Sequence, residues 1–120
     1  MISAECFHVE QGGDITVVRI VDTRYFDTDH YAQLQQDLLD FVARRKPAKL
    51  LVDLGSIQYC STALTNTLLL AQKRMNAWTG QMKLFGLSEV VLETLHRLRL
   101  VGTLFSVCAD ETDAKHACSP

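Results

Sequence analysis

The feature that most restricts the fold is the alternation of strand-like and helix-like segments between residues 49 and 108. Three short apolar runs, residues 49–54 (KLLVDL), 82–87 (MKLFGL) and 104–108 (LFSVC), have the length and composition of buried strands. The two stretches between them carry apolar residues three and four positions apart, which is the period of an amphipathic helix. Strands that alternate with helices in this way pair in parallel through right-handed crossovers. This part of the chain therefore predicts an α/β architecture.

The amino-terminal segment predicts an antiparallel hairpin. Residues 3–10 alternate loosely, and residues 15–21 (ITVVRIV) are rich in β-branched side chains, which favour strands. Between them, QGGD contains Gly12 and Gly13, and glycines supply the positive φ values that a tight turn needs. With this hairpin at its edge, we expect a mixed four- to five-stranded sheet with helices packed mainly on one face.

Three helices are expected from their end signals and their apolar positions. Asp27 or Thr28 caps the first, and Ser88 caps the third. Gly80 is expected to end the second helix and Gly102 the third, because glycine is the usual residue just after a helix. The positions expected to face the core are Tyr31, Leu34, Leu38, Phe41 and Val42 in the first helix, Leu64, Leu68, Ala71, Met75 and Trp78 in the second, and Val91, Leu92, Leu95 and Leu98 in the third.

Composition bounds the class of protein. A chain of 120 residues, 48% hydrophobic and 22% charged, fits one globular domain. We assign this domain to residues 1–108 and expect residues 109–120 to form a polar C-terminal tail or a short surface helix. The net charge of −2 gives no long-range attraction to nucleic acid or anionic lipid, so neither is an expected partner. The chain lacks an apolar run of about 20 residues and a signal-peptide pattern. A cytoplasmic location is the expectation.

Motifs for catalysis, a metal or a cofactor are missing from the sequence, so a non-enzymatic protein without a cofactor is expected. The four cysteines form no CxxC pair, and the glycines form no GxxxxGK[ST] loop. Without an export signal the thiols are expected to be reduced. Cys6, Cys60 and Cys108 lie in or beside apolar stretches, which favours a role as small core side chains.

Small polar residues cluster where the strand of residues 49–54 leads into the second helix. Ser61, Thr62 and Thr65 lie in this junction, LGSIQYCSTALTNTLL. The first turn of a helix has backbone N–H groups without intrahelical partners, at the positive end of the helix dipole. Ser61 or Thr62 can satisfy one of them as an N-cap. The alternative is that a phosphoryl group or another anion binds at the same place.

The run KLLVDLGSIQYCSTALTNTLL resembles the signature of STAS domains, the bacterial anti-sigma-factor antagonists and their relatives. In that family a strand ending in hydrophobic–Asp/Asn–Leu leads through a loop to a D-S-S/T-G-L-G segment that opens a helix. Here the strand ends as VDL, residues 55–59 make the loop, and residues 60–63 (CSTA) open the helix. The resemblance continues through QMKLFGLSEVVLETLHRLRLVGTLFSV and covers roughly residues 1–108. It implies the STAS fold.

The functional positions depart from the family pattern. Counted from VDL without a gap, Ser61 matches the family's Asp, Thr62 matches its first Ser, and Ala63 falls on the residue that a partner kinase phosphorylates. The next three positions, where the family has Gly, Leu and Gly, are Leu64, Thr65 and Asn66. A one-residue shift instead places Thr62 on the acceptor. The match on both sides favours the ungapped register, so Thr62 and Ser61 are only candidate phosphoacceptors.

The resemblance implies a protein-interaction module in signal transduction and transcription regulation. Its expected partner is a GHKL-type serine kinase that acts as an anti-sigma factor, or a larger sensory protein; the unphosphorylated protein would bind the kinase and the phosphorylated protein would release it. With Ala63 at the acceptor position, a permanent binder and a phosphorylation switch both remain open. The residues expected to contact the partner are Tyr59, Cys60, Ser61, Thr62, Ala63, Thr65, Asn66, Tyr25 and Phe26.

A second hypothesis comes from a different functional class. The N–H groups at the start of the second helix could serve a small-ligand or nucleotide sensor as an anion site. Binding of nucleotide or phosphate would distinguish this function from the binding of a protein.

Overall fold

The strands form one five-stranded mixed sheet in the computed structural model, which describes residues 6–118. The elements are, in chain order, β1 (Phe7–Gly12), β2 (Ile15–Ile20), α1 (Thr28–Arg45), β3 (Lys49–Asp53), α2 (Thr62–Asn76), β4 (Gln81–Phe85), α3 (Glu89–Arg97), β5 (Ser106–Cys108) and α4 (Glu111–Cys118). The spatial order is β1-β2-β3-β4-β5, with β1 antiparallel to β2 and every other pair parallel. The expected fold class is confirmed. Residues 3–5 of the first predicted strand lie outside the described residues.

The hairpin turn uses one positive-φ glycine rather than two. Gly12 pairs with Ile15 and stays in β1, so the turn consists of Gly13 and Asp14. Gly13 has a φ of 63°, whereas Gly12 is not among the residues with positive φ. The expectation that both glycines supply positive φ values was wrong for Gly12, because the strand pairing extends through it.

The main core lies between the sheet and helices α1, α2 and α3. Side chains alternate between the two faces of a strand, and in β3 Leu50 and Val52 join this core while Leu51 points to the opposite face; all three are fully buried. The prediction that this run is a buried strand is therefore confirmed, and the strand is covered on both faces. The fully buried helix residues of this core include Leu34, Leu38, Val42, Leu64, Leu68, Ala71, Met75, Val91 and Leu95.

Helix α4 covers part of the second face of the sheet. Its Ala114 is fully buried against a small cluster made of Val17, Leu51 and Phe85. The side chain of Asp110 accepts a hydrogen bond from the backbone N–H of Asp113 (2.9 Å), which satisfies one donor of the helix start. The predicted C-terminal segment thus contains a packed helix, and the domain boundary at residue 108 stays a prediction.

The ends of α2 and α3 differ from the expectation. In α2 the C-cap is Ala77 and the left-handed residue is Thr79 (φ 56°), so Gly80 is not the cap. A Cβ on Gly80 would lie 2.9 Å from Trp78 Nε1, which donates to the carbonyl of Pro47, and 3.1 Å from that carbonyl, so close packing favours glycine there. In α3 the helix ends at Arg97, and Leu98, expected in the core, is 53% exposed.

Gly102 does not end α3 either. Arg99, with a φ of 58°, already reverses the chain after the helix, and Gly102 (φ 80°) belongs to the later turn before β5. The backbone N–H of Gly102 donates to the carbonyl of Phe105 (2.8 Å), which closes that turn.

The topology determines where the site can form. Strands β2 to β5 are parallel, so their carboxyl ends meet at one edge of the sheet. The loops that lead into α1, α2 and α3 all start from that edge. In open α/β sheets, binding sites form preferentially at the carboxyl ends of the strands.

Candidate functional site at the start of helix α2

The loop before α2 is anchored at its base and ends in a cap. The backbone N–H of Leu54 donates to the carbonyl of Phe85 on the neighbouring strand (3.0 Å), and Ile57 is buried in the core. Ser61 is the N-cap, with extended backbone, and its Oγ accepts a hydrogen bond from the N–H of Leu64 (3.1 Å). The capping role predicted for Ser61 is therefore confirmed, and Thr62 is the first residue of the helix.

Two threonine hydroxyls in the first turns of α2 point into the protein. Thr65 Oγ1 donates to the carbonyl of Ser61 (3.0 Å) and lies 3.2 Å from Cys60 Sγ. Thr67 Oγ1 lies 3.0 Å from the carbonyl of Ala63 and forms a bridge to the side chain of Gln35 on α1 (3.3 Å). Both threonines are buried, so their hydroxyls hold the helix start together rather than face solvent.

The thiol of Cys60 is not a candidate nucleophile. Its side chain is only 3% exposed, and burial raises the pKa of the Cys60 thiol, although the hydrogen bond with Thr65 acts in the opposite direction. Because the thiolate is the reactive form, a thiol with a raised pKa in apolar surroundings is inert.

A cleft of about 550 Å³ separates the start of α2 from the start of α1. Phe26 and Tyr31 form an edge-to-face pair with ring centroids 5.3 Å apart, and Ala63 lines the opposite side. Tyr25 precedes Phe26 in the chain, and its ring is 87% exposed, with Arg24 over it. Of the two aromatic residues before the first helix, Phe26 therefore borders the cleft at the start of α2.

A second cleft, of about 420 Å³, lies on the other side of α2, between α2 and α3. Tyr59, which is 67% exposed, and Leu98 form part of its wall. The lining residues are Tyr59, Cys60, Thr62, Thr65, Asn66, Leu69, Thr94, Leu98 and Leu100. The residues from Thr94 onward were missed by sequence reasoning. The available signal was the placement of Thr94 and Leu98 four residues apart along one side of α3.

The positive end of the α2 dipole is not balanced by a carboxylate on its own first turn. Helix α1 has Asp29 there and α3 has Glu89, but α2 has no acidic residue in its first turn. A negative group near the first turn of a helix is stabilising. The start of α2 thus retains a partial positive charge that an anion or an acidic partner group can approach.

Most of the predicted contact residues lie around this helix start. We define the α2 mouth as residues 59–66 with Phe26 and its chain neighbour Tyr25. On it Tyr59, Thr62, Asn66 and Tyr25 are exposed. Ser61, Ala63 and Phe26 are half-buried, while Cys60 and Thr65 are buried. Helix α4, the C-terminal element of the described residues, packs on the opposite face of the sheet, so it does not cover this surface.

Comparison with known protein families agrees with this architecture. Residues 8–106 match the family model described as "Mlab, STAS domain". None of the curated proteins compared with the chain matches it significantly by sequence.

Solved structures of the same fold come from several bacteria. A candidate anti-sigma factor antagonist from Thermotoga maritima has a TM-score of 0.80 at 11% identity, with 95% of each chain covered. An anti-sigma factor antagonist from Mycobacterium paratuberculosis has a TM-score of 0.77 at 20% identity, covering 92% of this chain and 91% of that one. The Bacillus cell fate determinant SpoIIAA in its phosphorylated form has a TM-score of 0.66 at 11% identity, covering 92% and 98%. At these identities the likeness shows the fold.

Among residues 6–118, none of the helices combines the length and the apolar character needed to cross a membrane.

Proposed function

The chain belongs to the STAS domain family, and we propose that it is a non-enzymatic interaction module that binds a signalling protein through the α2 mouth. The family and the fold it shares with anti-sigma-factor antagonists imply a partner-switching role. The observation that carries the proposal is the exposure of Tyr59 and Thr62 at a helix start with a cleft on each side. Exposed aromatic rings beside pockets are typical anchors of protein interfaces.

The partner we propose is a GHKL-type serine kinase that acts as an anti-sigma factor, or a larger sensory protein. The uncompensated start of α2 supports this, because acidic or phosphorylated groups of a partner are attracted to it. The small side chains at residues 61–63 (STA) also support it, since they allow another chain to approach the backbone closely. In that arrangement Tyr25 and Tyr59 would contact the partner from the two sides of α2.

Thr62 is the better of the two candidate phosphoacceptors. Its side chain is exposed, whereas Ser61 is half-buried and its hydroxyl already accepts the N–H of Leu64. A phosphate on Thr62 would bring a charge of about −1.5 to −2 to the positive end of α2. It would stabilise the helix start and at the same time change the surface that the partner contacts. Ala63 has no hydroxyl, so phosphorylation there is impossible.

Calorimetric titration with individual purified kinase-like anti-sigma factors of the same organism tests the interaction. We expect Tyr59→Ala to weaken binding at least tenfold, about 1.4 kcal/mol. The matched control is Leu104→Ala, because Leu104 is another exposed large hydrophobic residue (52%) but lines a different cleft, with Gln72 and Asn76. Equal affinities for both variants and the wild type would reject the α2 mouth as the interface.

Phosphorylation is tested separately with the kinase that binds. Incubation with ATP followed by mass spectrometry should locate the phosphate on Thr62, and Thr62→Ala should abolish the modification. A phosphate on Ser61 would transfer the role to the cap residue. With no phosphate on either residue, the protein would be a permanent binder rather than a switch.

A small-ligand or nucleotide sensor is the second candidate function. It is favoured by the absence of an acidic residue in the first turn of α2, and by clefts whose volumes fall in the range of small-molecule sites. A ligand that binds only the folded state raises the melting temperature by mass action. Thermal-shift titration with nucleotides and inorganic phosphate should therefore raise it if the sensor hypothesis holds, and an unchanged melting temperature at millimolar ligand would eliminate that hypothesis.

A further inference from the structure

A charged cluster on the second face of the sheet joins β1, β3 and α4 through one arginine of β2. Arg19 on β2 contacts Glu10 on β1 (Nη2–Oε2, 3.0 Å), Asp53 on β3 (Nη1–Oδ2, 2.7 Å) and Glu111 on α4 (Nη2–Oε1, 2.9 Å). The carboxylates raise the pKa of the Arg19 guanidinium, and Glu10 has the largest effect. The cluster is only partly exposed, with 30% of the Arg19 side chain and 22% of the Asp53 side chain accessible.

Asp53 connects this cluster to the α2 mouth. While its Oδ2 accepts from Arg19, its Oδ1 accepts the backbone N–H of Gly55 (2.8 Å). Gly55 lies near the start of the loop that ends at the Ser61 cap. One carboxylate therefore lies between the ion cluster on one side of the sheet and the loop that carries Tyr59.

The loop packs tightly around this carboxylate. A Cβ on Gly55 would lie 3.0 Å from Asp53 Oδ1, and a Cβ on Gly86 would lie 3.2 Å from the same oxygen. Gly86 follows β4 and leads toward α3, and its φ of 75° favours glycine. The Asp53 carboxylate thus touches the loops before α2 and before α3, so a change in its position would be transmitted to both walls of the second cleft.

Helix α4 contributes the last residue of this chain of contacts, Glu111. Glu111 binds Arg19 through Oε1 and Lys115 through Oε2 (2.9 Å). Ala114, three residues after Glu111, packs against the sheet. The contact between Glu111 and Arg19 is therefore made by a helix that is fixed to the sheet. Loss of the Glu111 charge would leave Arg19 with two carboxylates, Glu10 and Asp53, instead of three, and would weaken the contact between Arg19 and α4.

We propose that Asp53 is a positioning residue for the loop before α2, and that α4, which lies on the second face of the sheet, acts on Asp53 through Glu111 and Arg19. In this arrangement the packing of α4 against the sheet determines how rigid the loop before α2 is. The positioning itself concerns the protein alone, and its consequence for partner affinity rests on the proposed function.

The backbone N–H of Gly55 reports the positioning directly, because it donates to Asp53. In nuclear magnetic resonance spectra of the whole chain, Glu111→Gln should shift the amide signals of residues 55–61 and speed hydrogen exchange at Gly55 about two- to fivefold, as expected for one partly exposed ion pair. Asp53→Ala removes the acceptor itself, so exchange at Gly55 should rise about tenfold or more.

The matched control is Glu93→Gln, which makes the same substitution in another ion pair. Glu93 contacts Arg97 one turn along α3 on the solvent side, away from the sheet. The proposal is overturned if Glu111→Gln changes the amide signals of residues 55–61 and the hydrogen exchange at Gly55 no more than Glu93→Gln does. This outcome does not depend on whether Asp53→Ala folds. A variant that lowers the urea midpoint while native-state exchange at Gly55 stays constant would also overturn it, since that result means a purely structural role.

The test is independent of any partner, so its failure can be told apart from the failure of the proposed function. If the loop responds to Glu111→Gln while Tyr59→Ala leaves the affinity for a kinase-like partner unchanged, the positioning would be retained and the interface contradicted. If Glu111→Gln leaves the signals of residues 55–61 unchanged while Tyr59→Ala still weakens partner binding, the interface would be retained and the positioning contradicted.

Discussion

Replacing Thr62 with glutamate should have opposite effects on stability and on partner binding. Thr62 is the first residue of α2, is exposed, and lies at a helix start with no acidic residue in its first turn. A structural cap and a binding surface respond differently to a negative charge at this place. Thr62→Glu therefore separates the two roles within one variant.

The stability effect follows from the helix dipole. A carboxylate in the first turn is worth about 0.3–1 kcal/mol at an exposed position. For a chain of 120 residues, that gain raises the melting temperature by about 1–5 °C. The binding effect has the opposite sign, because the longer charged side chain stands where the partner must approach residues 61–63. We expect an affinity loss of at least tenfold, about 1.4 kcal/mol.

The assay combines thermal unfolding with calorimetric titration of a purified kinase-like anti-sigma factor. Thr62→Gln is the control, because it has nearly the same volume without the charge, and it should leave the melting temperature close to that of the wild type. If Thr62→Glu alone weakens binding, charge is the signal, as in a phosphorylation switch; if both variants weaken it, close approach is what matters. Unchanged affinity of Thr62→Glu for the partner would refute both explanations, charge and close approach, and with them the α2 mouth as the interface.

Three further predictions concern stability. Ser61→Ala removes the cap and should lower the free energy of unfolding in urea by about 1 kcal/mol. Leu68→Ala opens a cavity in the main core and should cost about 2–5 kcal/mol in the same measurement. Hydrogen bonds from Lys115 and then Arg19 lower the pKa of Glu111 below its usual value of 4.5. Its stabilising contribution is therefore complete above that value and is lost as the pH falls through the lowered pKa of the folded state, so the urea midpoint should fall less with acidification in Glu111→Gln.

The fold could be predicted because its elements carry strong local signals. Helix α1 begins after the Asp27 cap and buries Leu34 and Leu38 as the apolar spacing predicts. Strand β3 is flanked by other strands on both sides, and its continuous apolar run identifies it as central. Where each local signal agrees with the global arrangement, sequence reasoning succeeds.

The predictions that fail concern residues whose burial depends on where a helix ends and in which direction the chain continues. Leu98 continues the apolar spacing of α3, but the helix ends at Arg97 and the chain reverses at Arg99, so the side chain is exposed beside the second cleft. Among residues 111–117 of α4, Ala114 is the one fully buried residue, and a single small apolar side chain produces no periodic pattern. Its helix start did carry a signal, since Asp110 and Asp113 have the spacing of a cap and its third helical residue.

The candidate site could be located from sequence only in part. Small polar residues at the strand-to-helix junction indicate the start of α2, because that chemistry is local. The second cleft also needs Thr94 and Leu100, whose position depends on how α3 lies against α2. The link from Asp53 to Arg19 and Glu111 spans three elements far apart in the chain, and residue spacing cannot predict it.

Chemical-shift mapping on the labelled protein during titration with a kinase-like anti-sigma factor would locate the binding surface residue by residue. We expect the largest changes at residues 59–66 and at Tyr25 and Phe26, with residues 103–106 near Leu104 unaffected. Changes centred instead on α4 and the second face of the sheet, with a silent start of α2, would contradict the interface proposed here.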